Sequence, residues 1–347
     1  MLHTPRVRAA VLYGKEDVRV EAVAERPLAP GEVRLGIEAA LTCGTDLKVF
    51  KRGYHAKMIR PPAVFGHEMA GVITEVRSGG WTVGDRVVVA NSAPCGACRW
   101  CREGQEALCD DLHFLNGAYA ESIVIPTRLA EKNLLRLRAT TSFCDAALTE
   151  PLACVVLGVE DCQLRAGQRV LVIGAGPIGL MFVALAKHLG CDVTAAGRGE
   201  KRLATAARLG ATAVDVGGDR PLEAALGEHV AAGGFDVVFE AVGKPEVWES
   251  TTRLVRKGGL VNFFGGCPAG TSVSLDTGLL HYSSLTLKAS FHHTPRTIRR
   301  ALEFIEAGVI RAEDFVDGAC NLGELPALLK AMTSGNRAVK TLVNVRA

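Results

Sequence analysis

The stretch Arg169-Val170-Leu171-Val172-Ile173-Gly174-Ala175-Gly176-Pro177-Ile178-Gly179-Leu180 constrains the fold more than any other part of the chain. The run Arg169–Ile173 is rich in β-branched residues and reads as a buried strand. A glycine-rich turn follows. Ile178 to Leu189 then carries helix formers with a wide apolar face. Strand, G-x-G-x-x-G and helix, in that order, are what a dinucleotide site requires. Gly174 makes the tight turn. Gly176 lets backbone approach a pyrophosphate, and Gly179 brings helix and strand together. The helix N-terminus at Pro177 and Ile178 then faces the phosphates with its positive end. A glycine turn serving packing alone is the competing reading. A second strand, Asp192–Ala196, follows at the spacing a nucleotide site needs.

The alternation continues through Ala213–Val216, Phe235–Glu240, Gly259–Phe264 and Leu285–Ala289, with helical patterns between. That order implies an α/β unit with a parallel sheet covered by helices. Before about residue 150 the texture differs. Short apolar runs broken by glycine and proline (Ala9–Tyr13, Glu32–Ala40, Gly71–Val76, Arg86–Ala90, Ala118–Ile125) predict a β-rich domain. After Phe291 a helix is expected over Pro295–Ala307 and a last strand over Lys340–Val345. This tail is too short to bury its own core and is expected to return to the first domain.

The chain has 347 residues, enough for roughly two domains. Its 40 basic and 37 acidic side chains leave a formal charge of +3, which gives no reason to expect nucleic acid or an anionic membrane surface as partner. No apolar run is long enough to span a bilayer, and Met1–Arg6 lacks the apolar core of a signal peptide. A cytoplasmic location is the expectation. Four of the 11 cysteines crowd between Cys95 and Cys109, and clustering in that setting suggests metal before disulfides.

Cys95, Cys98, Cys101 and Cys109 offer four thiolates from one tight loop. Zinc takes four soft ligands in a tetrahedron, and such a closed site braces a lobe without an open position for chemistry. A bacterial ferredoxin motif has a shorter last gap followed by proline, whereas Asp110 follows Cys109 here. Another metal, and unmetallated or disulfide-bonded cysteines, remain alternatives. A second group is scattered: Thr42-Cys43-Gly44-Thr45-Asp46, Gly66-His67-Glu68, and Glu150-Pro151-Leu152-Ala153-Cys154. A lone cysteine or histidine is usually core. Together they supply a thiolate, an imidazole and carboxylates, the donor types of a catalytic zinc site with three protein ligands.

Cys43-Gly-Thr-Asp, Gly66-His67-Glu68, the cysteine loop, Val83-Gly84-Asp85-Arg86-Val87, Glu150-Pro-Leu and Gly174-x-Gly-x-x-Gly occur in that order. Over nearly the whole chain this resembles the zinc-containing medium-chain alcohol dehydrogenases, on the branch of sorbitol and threonine dehydrogenases. The resemblance implies a GroES-like catalytic domain of residues 1–153 and 291–347, with a structural-zinc lobe at about 91–112. It implies a Rossmann domain of residues 154–290, with the active site in the cleft between the two. Two zinc ions per chain are implied. Cys95, Cys98, Cys101 and Cys109 would hold the structural ion. Cys43, His67, Glu68 and Glu150 would hold the catalytic one, with Cys154 as a reserve ligand. Thr45 would hydrogen-bond the reacting oxygen and pass its proton outward, and Asp46 would orient His67. Relatives carry a histidine relay where this chain has Lys48. Dimers and tetramers occur among relatives.

The implied activity is hydride transfer between an alcohol, polyol or sugar-like hydroxyl and a nicotinamide cofactor. A threonine or 2,3-diol dehydrogenase using NAD is an alternative, as are a zinc-free quinone reductase and a non-catalytic redox sensor. NAD enzymes place an acid at the carboxyl end of the second strand. Asp192 starts that strand, at the wrong edge. The strand ends at Gly197-Arg198-Gly199, where Arg198 can pair with a 2′-phosphate and Lys201 and Arg202 can assist. NADP is therefore expected over NAD. Lys340 resembles a basic position that meets the pyrophosphate in relatives. Tyr54, His55, Trp100, Phe291, His292 and His293 are candidate pocket residues; polar tips there suit a polyol or sugar.

Overall fold

Six parallel strands form in the central part of the chain, in the order Thr212–Asp215, Asp192–Gly197, Arg169–Ile173, Phe235–Glu240, Val255–Phe263, Thr286–Ala289. The computed structural model describes residues 5–218, 221–335 and 338–347. Its chain divides into two units, Met1–Ala153 with His293–Ala347, and Cys154–His292.

In the second unit the inner strands are buried on both faces, which is why Val170 to Ile173 read as an unbroken apolar run rather than an alternating one. The following helix, Pro177–His188, is apolar nearly all round, and Leu180, Met181, Phe182 and Val183 are fully buried. Helix Glu200–Arg208 buries only Thr205 and Ala206 and presents its charges to water. The strands Asp192–Gly197 and Thr212–Asp215 are laid to one side of Arg169–Ile173 and the next three to the other. The connections therefore diverge between Arg169–Ile173 and Phe235–Glu240. A crevice at the carboxyl ends of those two strands is where such a sheet takes a ligand.

The first unit is β-rich, as its broken apolar runs predict. One sheet runs Leu134–Arg136, Arg86–Val89, Glu68–Val76, Val33–Leu41, Lys340–Asn344, Val316–Asn321, with Ser122–Ile125 also paired to Val33–Leu41. Asp17–Ala24, Arg6–Gly14 and Ala63–Val64 form a second sheet. The core between them includes Leu12, Leu35, Ile37, Phe50, Phe65, Tyr119, Leu325 and Val343, so the C-terminal tail completes a core begun by the N-terminal half. Two register pairs matter for the site: Leu41 lies opposite Glu68, and Leu342 opposite Leu41.

Two expectations change. Only Ser122–Ile125 of the run Ala118–Ile125 is strand; Tyr119 instead exchanges backbone hydrogen bonds with Phe65 and Ala10. The tail also holds a strand, Val316–Asn321, and a helix, Leu325–Thr333, beyond those read from sequence. The strand's composition, Val-Asp-Gly-Ala-Cys-Asn, is poor in β-formers, and it lies at the sheet edge. Among the described residues no helix is long and apolar enough to cross a membrane.

Candidate active site and metal centres

The cysteine loop starts from the short strand Ser92–Ala93, which pairs with His113–Phe114 and brings the two ends of the loop together. The four Sγ atoms lie within 4.8 Å of one another. Three edges of the cluster are Cys98–Cys101 at 3.5 Å, Cys98–Cys109 at 3.8 Å and Cys95–Cys101 at 3.9 Å. These are far too long for disulfides. A tetrahedron with Zn–S of ~2.3 Å has S···S edges of about 3.8 Å, so the cluster fits zinc. Backbone N–H groups already point at the sulfurs. Those of Ala97 and Cys98 donate to Cys95 Sγ, each at 3.3 Å, and those of Cys95 and Asp111 donate to Cys109 Sγ at 3.2 and 3.4 Å. They pull the Cys95 thiol down to about 6, while burial pushes Cys101 up to about 12. Trp100 belongs to this loop, its indole N–H on Asp110 Oδ1 at 3.0 Å.

The second centre is built by a helix cap. Cys43 is the N-cap of helix Gly44–Arg52, and Asp46 closes a capping box by accepting from the Cys43 N–H at 2.9 Å. The same Asp46 is fully buried and stands with Oδ1 2.9 Å from His67 Nδ1. Its Oδ2 also accepts from the Tyr119 hydroxyl at 2.6 Å. Burial alone would raise Asp46, but the His67 charge and these donors hold it below the usual carboxylate range. Burial alone would lower His67, yet the Asp46 charge holds it well above the usual imidazole range. His67 thus engages Asp46 with Nδ1 and keeps Nε2 for another partner. The glycine before it is required: Gly66 has φ 88°, and a Cβ there would lie 2.6 Å from the Tyr119 ring.

Glu68 begins the next strand and is fully buried. One oxygen, Oε2, accepts from Lys340 Nζ; the other, Oε1, has no hydrogen-bond partner. An unpartnered buried carboxylate oxygen is costly. The donor atoms of Cys43, His67 and Glu68 are within 4.8 Å of one another. Thiolate, imidazole and carboxylate of this kind suit a zinc ion. Glu150 is buried outside that trio, 3.8 Å from His293 Nε2, and burial pushes its carboxyl up to about 7. His293 Nε2 also pairs with Asn91 Oδ1 at 3.0 Å. Cys154, the reserve ligand, stands in the other unit.

Lys340, expected at a cofactor pyrophosphate, is fully buried with its ammonium on Glu68 and on the Thr42 carbonyl at 3.1 Å. Burial opposes its charge, and the Glu68 carboxylate nonetheless holds it above the usual lysine range. Pairing of the last strand with Val33–Leu41 delivers it there. Tyr119 was not singled out from sequence, because no motif marks it; its ring sits against Gly66 and its hydroxyl on Asp46. Thr45 is on the first turn after Cys43 with its N–H toward Cys43 Sγ at 3.4 Å, and Lys48 is exposed. Tyr54 and Phe291 are about half exposed, and His55 accepts the Met58 N–H at 3.1 Å. His292 is the residue before the return to the first unit and has φ 66°.

In the second unit Gly176 caps helix Pro177–His188 without a side-chain partner, and a Cβ there would meet nothing. Open space at a helix N-terminus is the cradle a pyrophosphate fills. At Gly179, by contrast, a Cβ would lie 1.7 Å from the Gly174 carbonyl oxygen, so the close helix–strand approach depends on it. The strand Asp192–Gly197 opens with exposed Asp192 and closes with Gly197. Arg198, exposed, donates Nε to the Val216 carbonyl at 3.0 Å, which anchors the guanidinium at that strand end. Lys201 and Arg202 lie on the first turn of helix Glu200–Arg208.

The alcohol dehydrogenase GroES-like domain model matches residues 29–134, and the zinc-binding dehydrogenase model matches residues 177–307. The D-altritol 5-dehydrogenase of Agrobacterium fabrum is 35% identical over 298 residues, covering 82% of this chain and 84% of that protein. The L-threonine 3-dehydrogenase of Coxiella burnetii is 34% identical over 268 residues, covering 75% and 76%. A zinc-binding dehydrogenase from Sinorhizobium meliloti 1021, solved bound to NADP, superimposes with a TM-score of 0.86 at 28% identity, covering 98% of this chain and 99% of that one. Motif order, parallel sheet, donor sets and relatives agree: the chain belongs to the zinc-dependent medium-chain alcohol dehydrogenases, oxidoreductases of the sorbitol and threonine dehydrogenase branch.

Proposed function

We propose that the protein oxidises a secondary hydroxyl of a polyol or sugar-like substrate, with NADP as hydride acceptor, using two zinc ions per chain. The observation that carries the reading is the trio of Cys43, His67 and Glu68, with donor atoms within 4.8 Å of one another and a buried Glu68 oxygen that has no hydrogen-bond partner. Glu150 is the further acidic group assigned to this site. The four cysteines from Cys95 to Cys109 hold the second ion, closed to substrate. Zinc at the first site supplies a Lewis acid that lowers the pKa of a substrate hydroxyl.

The chain's own residues do the rest. Asp46 engages Nδ1 of His67, which leaves Nε2 as the nitrogen available to ligate. Lys340 balances the charge of Glu68 and occupies one of its oxygens. The Thr45 hydroxyl, on the first turn of the helix, accepts the departing substrate proton and passes it outward. Gly176 and the helix N-terminus receive the pyrophosphate, and Arg198 pairs with the 2′-phosphate. The polyol assignment draws on the D-altritol enzyme at 35% identity, and the cofactor assignment on Gly197-Arg198 and on the NADP-bound neighbour. A second reading, threonine oxidation with NAD, is favoured by the threonine dehydrogenase at 34% identity.

The test is kcat/KM for NADP and NAD on a panel of alditols, sugars, diols and threonine. The expected result is turnover of an alditol or sugar with NADP preferred. A charge-assisted contact to the phosphate contributes roughly 1.5–3 kcal/mol, about tenfold to over a hundredfold. Arg198→Ala should therefore lower the NADP:NAD ratio by that factor. Gly197→Asp combined with Arg198→Ala should reverse the preference. A wild type that prefers NAD, or a ratio moved less than about threefold by Arg198→Ala, would reduce Arg198 to surface charge.

A further inference from the structure

We propose that Glu240 is a positioning residue that fixes the wall of the dinucleotide crevice on its nicotinamide side, an inference that rests on the cofactor site proposed above. Glu240 is the last residue of the strand Phe235–Glu240, opposite Ile173 on one neighbour and Phe263 on the other. It is fully buried. An acid is unusual at the end of an apolar central strand, and its cost must be offset by donors.

Those donors come from separate segments. Oε1 accepts from Val242 N at 2.8 Å and Gly243 N at 2.9 Å. Oε2 accepts from Trp248 Nε1 at 2.9 Å, and the same indole N–H reaches the Gly265 carbonyl at 3.0 Å. The Trp248 ring stacks on Phe263 with centroids 4.2 Å apart. The backbone carbonyl of Glu240 meanwhile accepts from Phe264 and Gly265 N–H at 3.0 and 2.8 Å. One residue thus ties the loop Ala241–Gly243 to the loop Phe264–Gly266.

The tie is tight and leads to the glycine turn. A Cβ at Gly265 would lie 2.4 Å from Gly243 N and 2.7 Å from Glu240 Oε2. On the other side, a Cβ at Gly174 would lie 3.0 Å from the Val242 side chain and 3.1 Å from the Ala241 carbonyl. The Ala241 N–H donates to the Ile173 carbonyl at 2.9 Å. The spacing between the first glycine of the turn and the Ala241–Gly243 loop is therefore set from behind by the Glu240 carboxylate. Val242, 38% exposed, projects from that loop. The loop stands where the strand order diverges, across the crevice from the strand that ends at Gly197. A dinucleotide bound there has its adenosine half toward Gly197 and its nicotinamide half over the Ala241–Gly243 loop. Glu240 governs the second half only.

Calorimetric titration with NADPH and with 2′,5′-ADP separates the halves; NADH with 5′-AMP serves if the wild type takes NAD. Glu240→Gln replaces one acceptor oxygen by a donor that faces N–H groups. The expected result is NADPH binding weakened about tenfold or more, with 2′,5′-ADP binding within about twofold of wild type. Equal weakening of both ligands would mean a general loss of fold, and no change in either would mean an idle carboxylate; each overturns the inference. Trp248→Phe keeps the ring stack and removes one donor, so it decides the matter if Glu240→Gln does not fold: NADPH should weaken by about threefold and 2′,5′-ADP should not. A wild type that binds neither dinucleotide overturns the cofactor site and this inference together, whereas wild-type binding with an unchanged NADPH to 2′,5′-ADP ratio in both variants overturns this inference alone.

Discussion

The two donor clusters of the first unit solve the same problem in opposite ways. In the Cys95–Cys109 loop, donors and supporting groups come from one short segment, and backbone N–H groups of Cys95, Ala97, Cys98 and Asp111 point at the sulfurs. The sulfurs are close enough together to fill the coordination sphere of a single metal ion. At Cys43, His67 and Glu68 the donors come from two separated segments and are mostly buried. There each ligand has its own backing: Asp46 behind His67, Lys340 behind Glu68, and the Thr45 N–H on Cys43. A closed site needs only a tight loop, because chain connectivity holds its ligands near one another. An open site must hold an unequal donor set still while leaving a position vacant, so it recruits tertiary partners.

Breaking one ligand at each site should separate the two designs. The largest effect is expected for Cys43→Ala. Turnover should fall about 1000-fold or more, and metal content should fall from about two to about one zinc per chain. The melting temperature should barely move, since the lost helix cap costs only ~1 kcal/mol. Turnover within tenfold of wild type would remove Cys43 from the reaction. Next is Lys340→Met, which strands the buried Glu68 charge. Removing one partner of a buried pair costs ~3–5 kcal/mol, or a fall of about 6–20 °C for a domain of this size. That fall belongs to the zinc-stripped protein, because a bound cation supplies Glu68 with another counter-charge. An equal fall with and without zinc would show that Glu68 does not meet the metal. Cys98→Ser should act on stability first. It removes a crosslink worth ~2–5 kcal/mol by analogy with a native disulfide, with about one zinc lost and the remaining enzyme still turning over below its lowered melting point. Retained metal and an unchanged melting curve would end the structural-zinc reading of the loop.

The same contrast explains what could be read from sequence. The parallel sheet was legible because β-branched runs such as Val170–Ile173 and their spacing are local. The cysteine loop was legible because all of its chemistry lies between Cys95 and Cys109. Cys43, His67 and Glu68 were legible as residue types only when taken together, as an ordered set of motifs. Their backing was not. Lys340 reaches Glu68 across 272 residues, and Tyr119 reaches Asp46 across 73. Both contacts are products of strand pairing and core packing, which leave no signature in the neighbouring residues. The lysine before the last strand is assigned to a pyrophosphate by resemblance alone, and its burial against Glu68 leaves no mark in the sequence. Glu240 carries no sequence signal for a related reason. It ends an apolar strand, and only the folded loops show that three N–H groups converge on it.

The smallest expected effect tests the backing itself. Asp46→Asn changes no ligand and almost no volume. In the wild type, Oδ2 accepts from Cys43 N–H and the Tyr119 hydroxyl, and Oδ1 faces His67 Nδ1. An asparagine must keep its carbonyl oxygen at the Oδ2 position, where two donors converge. Its NH2 group then faces His67 Nδ1 and turns that nitrogen into an acceptor. The imidazole proton moves to Nε2, the nitrogen needed for metal. Loss of such a partner typically costs 10–100-fold in metal affinity or activity, about 1.4–2.7 kcal/mol. The measurement is competition for zinc with a chromophoric chelator. One site should weaken by that factor, and the four-cysteine site, which has no side-chain backing, should hold its zinc unchanged. Tyr119→Phe is the control. It removes a donor from Asp46 without reversing the tautomer, so it should weaken the same site by less. If Asp46→Asn leaves both affinities unchanged, His67 does not ligate through the nitrogen that Asp46 leaves free. If it weakens both sites equally, the effect is on the fold of the unit and not on the histidine.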